Sequence, residues 1–245
     1  MSKPILGLQL YSLRREFDAD AEGTLRSVRG LGYNHVETAG DYGWSADRWK
    51  ELLSETGLKV AGAHVGPEAL TKDLASTIKF QKAIGNHRYI LGYIADENRT
   101  EAGYARFGAI LNKAAQDLRD EGGEVFYHNH DFEFKPVGAT TGYDILLKET
   151  DPKLVRFEVD TYWVEQAGRD AAEFVEKHAD RIGIIHAKEI RRSDKSDQAV
   201  GEGDIDFAPI IKLAQTKDWP LIVEFEGEDA VEACRKSAAY LSKLL

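Results

Sequence analysis

Eight short apolar runs, each followed by a stretch of helical periodicity, account for the chain almost from end to end. The runs read as strands at 5–11, 34–37, 59–64, 87–93, 124–128, 154–160, 182–186 and 220–224. The spacing predicts helices over 20–31, 45–57, 71–84, 100–120, 143–149, 170–178, 207–216 and 228–245. In the helix over 100–120, Phe107, Leu111, Ala114 and Leu118 fall on one side. Ser45 is a good N-cap, Gly32 a natural stop, and Pro209 is tolerated in a first turn. Strand–helix alternation argues for a parallel sheet. Eight units make a (β/α)8 TIM barrel the leading fold, with an open doubly wound sheet as the alternative. No long linker or low-complexity segment interrupts the pattern, so a single domain is expected over 1–245. At 245 residues, 42% of them hydrophobic, the chain can bury a full core.

Polar residues gather at the C-terminal ends of these runs. Gln9 and Tyr11 end the first, Glu37 the second, and His64 the third. His128 and His130 end the fifth, and Asp160 the sixth. His186 and Lys188 end the seventh, and Glu224 and Glu226 the eighth. In a barrel these ends meet on the face where barrel active sites lie. Four of the seven histidines fall there. His128 and His130 stand at i and i+2, so on a strand they share a face, about 6.6–6.8 Å apart in register. Alone, the pair reads equally as hydrogen-bonded polar residues on a solvated edge; the convergence of ends favours a site. Carboxylates and imidazoles buried together are costly unless paired or bound to a metal. One divalent cation, Mn²⁺, Zn²⁺, Co²⁺ or Mg²⁺, would satisfy such a mixed set. A hydrogen-bonded network closing the barrel top is the alternative.

The net charge of −10, without a basic block, argues against nucleic acid. No apolar run approaches the ~18 residues of a membrane helix. The chain opens Met1-Ser2-Lys3 straight into the first apolar run, too short for a secretory signal. The lone Cys234 excludes an intrachain disulfide. Together these point to the cytoplasm; a homo-oligomer stays open. Arg191 and Arg192 could touch a phosphate, but no glycine-rich phosphate cradle is present. Gly201-Glu202-Gly203-Asp204 is acidic and reads as a loop leading to Asp206, a candidate N-cap. An unphosphorylated sugar or cyclitol is the favoured ligand.

The chain resembles the xylose isomerase-like, sugar phosphate isomerase/epimerase superfamily nearly end to end. The likeness rests on Gly7-Leu8-Gln9-Leu10-Tyr11-Ser12-Leu13-Arg14, Tyr127-His128-Asn129-His130, Val159-Asp160-Thr161-Tyr162-Trp163, Ile185-His186-Ala187-Lys188, Gly201-Glu202-Gly203-Asp204 and Ile222-Val223-Glu224. The resemblance implies a metal held by Asp160, His186 and Glu224. The ketose 3-epimerase and hydroxypyruvate isomerase branches have a Glu as fourth ligand, and in them it is half of the proton-transfer pair. Here His128 stands in its place. The histidine version resembles inosose dehydratases and enzymes that eliminate from 3-keto-glycosides.

A metal-dependent sugar isomerase or epimerase is the leading expectation and a lyase or dehydratase the alternative; isomerisation, epimerisation and β-elimination share the removal of a proton from carbon beside a carbonyl. A cation steadies the developing negative charge, and a base with a pKa near working pH takes the proton. His130 and Glu224 are the candidate bases. His128, Asp160, His186 and Glu224 are the candidate metal ligands. Lys188 could polarise a carbonyl or bind a substrate oxygen, or else pair with Glu226 or Glu158. Gln9, Tyr11, Glu37, His64, Trp163 and Glu226 are candidate substrate contacts, with Trp163 either walling a sugar ring or packing under its helix. A three-zinc endonuclease of the same fold and a sugar-binding protein without turnover are the rival readings.

Overall fold

The computed structural model describes residues 4–245. Residues 1–3, which the sequence reading places ahead of the first strand, lie outside the described residues. The barrel strands are β1 (Leu6–Gln9), β2 (His35–Ala39), β3 (Lys59–Val65), β4 (Arg88–Leu91), β5 (Glu124–His128), β6 (Val155–Asp160), β7 (Ile182–Ala187) and β8 (Leu221–Val223). Each pairs in parallel with its sequence neighbours, and β8 returns to β1 through Leu6↔Leu221 and Leu8↔Val223. The sheet is therefore a closed (β/α)8 barrel.

The helices that wrap it are α1 (Arg14–Gly30), α2 (Ala46–Thr56), α3 (Leu74–Ala83), α4 (Glu101–Arg119), α5 (Gly142–Glu149), α6 (Ala171–Lys177), α7 (Phe207–Lys217) and α8 (Ala230–Leu244). Ser45, Thr100, Thr141, Asp170 and Asp206 each start a helix by accepting a backbone N–H. The stop after α1 takes Gly32 at φ +109°. The main core lies between strands and helices, where Leu8, Trp49, Leu111 and Phe157 are buried. A second, smaller apolar cluster of Ala61, Ile90, Phe126, Ile184 and Ile222 plugs the barrel interior. Polar side chains on the same inward faces are stacked above this plug, because residues at i and i+2 along a strand share a face.

Several boundaries differ from those the apolar runs suggest. β1 ends at Gln9, and Tyr11 sits in a 3₁₀ turn, its N–H donated to the Gln9 side chain at 3.1 Å. β4 ends at Leu91, leaving Tyr93 beyond the sheet. α1 starts at Arg14 but breaks at Asp20 (φ −154°, ψ 87°), whose carboxylate accepts from Gly23 N–H at 2.9 Å. The residue expected to start this helix thus starts its second half. A helix over Thr161–Gln166 follows β6 directly, capped by Asp160, and the apolar pattern gives no sign of it. Part of the polar stretch after β7 folds as a hairpin of Glu189–Arg191 with Ser196–Gln198.

Candidate metal centre

The lowest polar layer of the barrel is a network of carboxylates and imidazoles in which Glu37 Oε2 and Glu158 Oε1 are buried without hydrogen-bond partners. His64 Nε2 lies 3.0 Å from Glu37 Oε1 and 2.8 Å from Glu158 Oε2. His186 Nε2 lies 2.8 and 3.2 Å from the same two oxygens. His128 Nδ1 is 3.1 Å from Glu158 Oε2, and the Gln9 amide donates to Glu37 Oε1 at 2.8 Å. Two glycines make this room: a Cβ on Gly62 would stand 2.7 Å from Glu37 Oε2, and one on Gly92 2.6 Å from His64 Nδ1.

Charge in the layer balances. Burial pushes both carboxyls up, but the facing imidazoles outweigh it, holding Glu37 well below the carboxylate range and Glu158 at about 2. Burial pulls His64 and His186 down, and the two carboxylates carry His64 up to about 10 and His186 well above its ordinary value. Burial keeps His128 far below its ordinary value despite its hydrogen bond to Glu158, so it stays neutral. Two carboxylates thus face two imidazoliums and one neutral imidazole, and a cation that took His186 as a ligand would displace the proton from the nitrogen it used.

The layer above also holds an unpaired oxygen, and that layer faces the barrel mouth. His186 turns its other nitrogen, Nδ1, to Glu224 Oε2 at 2.9 Å and to Asp160 Oδ2 at 3.7 Å, beyond hydrogen-bond reach. Asp160 Oδ2 is buried without a hydrogen-bond partner. His128, Asp160, His186 and Glu224 each offer a ligand atom within 4.8 Å of the others. Two imidazoles and two carboxylates suit Zn²⁺, Mn²⁺ or Co²⁺, and Mg²⁺ less well. A cation here would give the orphaned oxygen its partner, which a buried carboxylate otherwise lacks at a cost. The donor set fits the ion. A second set, His64, His128, Glu158 and His186, meets the same distance limit. Its only carboxylate already faces three imidazoles, and it lies under the first set.

A cavity of about 700 Å³ opens over the upper set. His128 and Glu224 border it, as do Gln9, Tyr11, His64, His130 and Glu226 from the strand ends, and Trp163, weighed from the sequence as a ring wall. Asp160 and His186 have no exposed surface and lie directly beneath. Two expected substrate contacts do not reach the cavity. Glu37 sits one layer too deep, sealed by His64 and Gln9. Lys188 is 1% exposed. Its ammonium pairs with Glu226, stands 3.9 Å from Glu224 Oε1 and lies 5.0 Å from the Trp163 ring centre. Burial would lower its pKa, but Glu224, Asp160 and Glu226 hold it well above the ordinary value, so it remains a fixed positive charge. The ion pair with Glu226, weighed from the sequence against a substrate role, is the contact that forms.

His130 lies just past β5, its ring 5.0 Å from that of His128 and stacked on Phe132 at 5.3 Å. Its backbone N–H donates to Glu133 Oε2 at 2.8 Å, so the ring itself is not spent on Glu133. Nδ1 is buried without a partner, which leaves Nε2 as the nitrogen a ligand could reach. Burial lowers its pKa to about 4, below the working-pH value expected of the base, and keeps the ring neutral and able to accept a proton. Arg191 and Arg192, weighed as phosphate contacts, bond elsewhere: Arg192 forks onto Glu165 at 2.8 Å, and Arg191 reaches Gln198.

Sequence reasoning did not place Glu158 in the layer beneath the donor set, Tyr93 at the cavity or Asp197 behind Glu226. Glu158 precedes Asp160 by two residues, and that shared face was the available signal. Asp197 had none: the hairpin brings it to accept Glu226 N–H at 2.7 Å, and burial lifts its carboxyl to about 7. Glu158→Gln should destabilise the barrel by about 3–5 kcal/mol, because it strips the shared counter-charge from buried imidazoles. Urea unfolding at neutral pH checks this; a loss under about 1 kcal/mol would mean that Glu37 alone holds the layer.

A closed barrel of eight parallel strands, with imidazoles and carboxylates converging at its C-terminal mouth, defines a (β/α)8 protein with a site able to take a metal. The chain belongs to the xylose isomerase-like TIM barrel family, whose model matches residues 25–244. It is 30% identical over 140 residues to an inosose dehydratase of Clostridium perfringens, a match covering 49% of this chain and 46% of that enzyme. The chain therefore spans about half the length of that relative. A Geobacillus thermodenitrificans inosose dehydratase is 25% identical over 241 residues, covering 82% of this chain and 80% of the enzyme. The crystal structure of a sugar phosphate isomerase/epimerase from Parabacteroides distasonis superposes with a TM-score of 0.84 at 26% identity, covering 98% of each chain.

Proposed function

We propose that the protein is a metal-dependent enzyme that removes the proton beside the ketone of an uncharged keto-sugar or cyclitol, and that the reaction continues to β-elimination. The observation that carries this is the chemical asymmetry around the cavity: His128 and His130 border it on one side, and Glu224, the one carboxylate of the donor set that lines it, on the other, with Asp160 buried beneath. A symmetrical two-carboxylate epimerase would have carboxylates on both sides. A bound cation supplies Lewis-acid stabilisation of the negative charge that develops on the ketone oxygen. His130 takes the proton. The carbon's electron pair then forms a double bond as the β carbon–oxygen bond breaks, and the leaving oxygen departs with the proton that His130 took, which returns the imidazole to its neutral form. Lys188 holds Glu224 and Glu226 in place and offsets their charge. Among the described residues, no lysine or arginine lines the cavity, which favours an unphosphorylated substrate. The inosose dehydratase relatives support the same reading.

Isomerisation or epimerisation is the second reading, favoured by the end-to-end likeness to the Parabacteroides distasonis protein. The two are separated by incubating the metal-loaded protein in D2O with inososes, 3-keto-glucosides and free ketoses. Elimination is expected to give a conjugated enone, seen by its ultraviolet absorbance, from at least one of the first two classes. Deuterated ketose recovered without any enone would assign an epimerase or isomerase instead. No deuterium uptake and no product from any class would remove the proton-transfer reading.

A further inference from the structure

The cavity has two unlike halves. Over β5 to β8 it presents His130, Trp163, Glu224 and Glu226, the groups of the proposed reaction. Over β2 to β4 small residues such as Ala39, Gly40, Gly66, Gly92 and Ala95 predominate, Phe107 adds an apolar surface, and the one charged group is His64 beside the donor set. Tyr11, following β1, and Tyr93, following β4, stand at the two ends of this small-residue trough. These tyrosines are 43% and 53% exposed, against a described surface on which only two other large hydrophobic residues are exposed to that degree. An arginine fixes each of them. The Arg14 guanidinium lies 4.5 Å from the Tyr11 ring centre and donates to the Tyr11 carbonyl at 3.0 Å. Arg99 lies 5.1 Å from the Tyr93 ring centre and donates to its hydroxyl at 2.6 Å. Both rings are thus held while exposed, at a place where burying them would be favourable.

The volume points the same way. About 700 Å³ lies in the middle of the range for drug-sized ligands, roughly 300–1,000 Å³. One six-membered sugar or cyclitol ring fills only a fraction of it. We propose that the trough between Tyr11 and Tyr93 is a subsite for a second, uncharged ring joined to the reacting one, so that the substrate is a two-ring glycoside and not a free monosaccharide or cyclitol. This rests on the reading above for the reacting ring, and names what is attached to it. The chemistry that recognises the second ring is a flat apolar face, which an aromatic aglycone and the underside of a sugar both offer.

The test measures binding of ligands that cannot react, so it does not depend on turnover. Calorimetric affinities for glucose, phenyl β-glucoside, cellobiose and glucose 6-phosphate are compared in the metal-loaded parent, Tyr93→Ala, Tyr93→Phe and Tyr11→Ala. In the parent, phenyl glucoside, cellobiose or both should bind about fivefold to tenfold more tightly than glucose. A gain with phenyl glucoside alone assigns an aromatic aglycone, and a gain with cellobiose alone assigns a second sugar. Tyr93→Ala should bring the ratio of two-ring to glucose affinity down to about one, and Tyr93→Phe should keep the gain. Equal or undetectable binding of glucose and both two-ring ligands overturns the proposal. So does a gain that survives in both alanine variants, or a preference for glucose 6-phosphate. A failed keto-sugar assay alongside a clear two-ring gain would sink the reaction and leave the subsite standing.

Discussion

Asp160→Asn should leave a folded barrel that holds no divalent cation at the mouth and turns over about a thousandfold more slowly. Asp160 has two tasks that this substitution separates. Its Oδ1 accepts the Trp163 N–H at 3.0 Å and starts the helix over Thr161–Gln166. Its Oδ2 has no partner and points into the donor set. Asparagine caps a helix about as well as aspartate, whereas alanine gives up about 1 kcal/mol there. The asparagine therefore keeps the cap and removes the negative charge that a divalent ion needs. Loss of Lewis-acid stabilisation, worth several kcal/mol, sets the scale of the activity change. Elemental analysis after dialysis gives a readout independent of turnover. Equal metal content in variant and parent would move the ion to the deeper set of His64, His128, Glu158 and His186, which does not use Asp160.

The fold could be read from the chain because a parallel barrel writes itself as repeated units. Buried strands appear as short apolar runs, helices as a 3.6-residue period, and the end of each run marks the mouth. For that reason Gln9, His64, His128, His130 and Glu224 could be placed at one cavity before any coordinates. Depth could not be read. Periodicity tells which side chains face inward, but the layer each occupies depends on the stagger between strands. Glu37 and Glu224 look alike at the ends of their runs. Yet Glu37 is paired with Gly62 of the adjacent strand β3, after a register shift at Val36/Glu37, has no exposed surface and bonds to His64 and His186, whereas Glu224 borders the cavity. Lys188 and Glu226 show the same limit: only the coordinates decide that one caps the other and not a ligand. Tyr93 was taken into the fourth strand by its apolar neighbours, and its exposure depends on β4 ending two residues earlier.

His130→Asn is expected to keep the fold and the metal and to slow solvent exchange at the carbon beside the ketone by about 10²–10⁴-fold, the usual contribution of a positioned base. Three observations single out this ring. It lines the cavity while His186 and Asp160 do not. It belongs to neither metal-capable group, so an ion need not occupy it. Its backbone is pinned by Glu133 and its ring stacks on Phe132, which fixes the imidazole without consuming its nitrogens. Glu133 itself is anchored by the Tyr127 hydroxyl at 2.5 Å, so the support reaches back into β5. Glu224 is the competing base, but His186 Nδ1 already lies 2.9 Å from it, and it belongs to the upper donor set. Exchange is followed by NMR in D2O with a keto-sugar that the parent processes. Exchange at the parental rate in His130→Asn would show that this imidazole is not the base. If Glu224→Gln alone then stopped exchange while metal content held, proton transfer would belong to the carboxylate, and the protein would work as the epimerase branches do, with His128 serving only the metal.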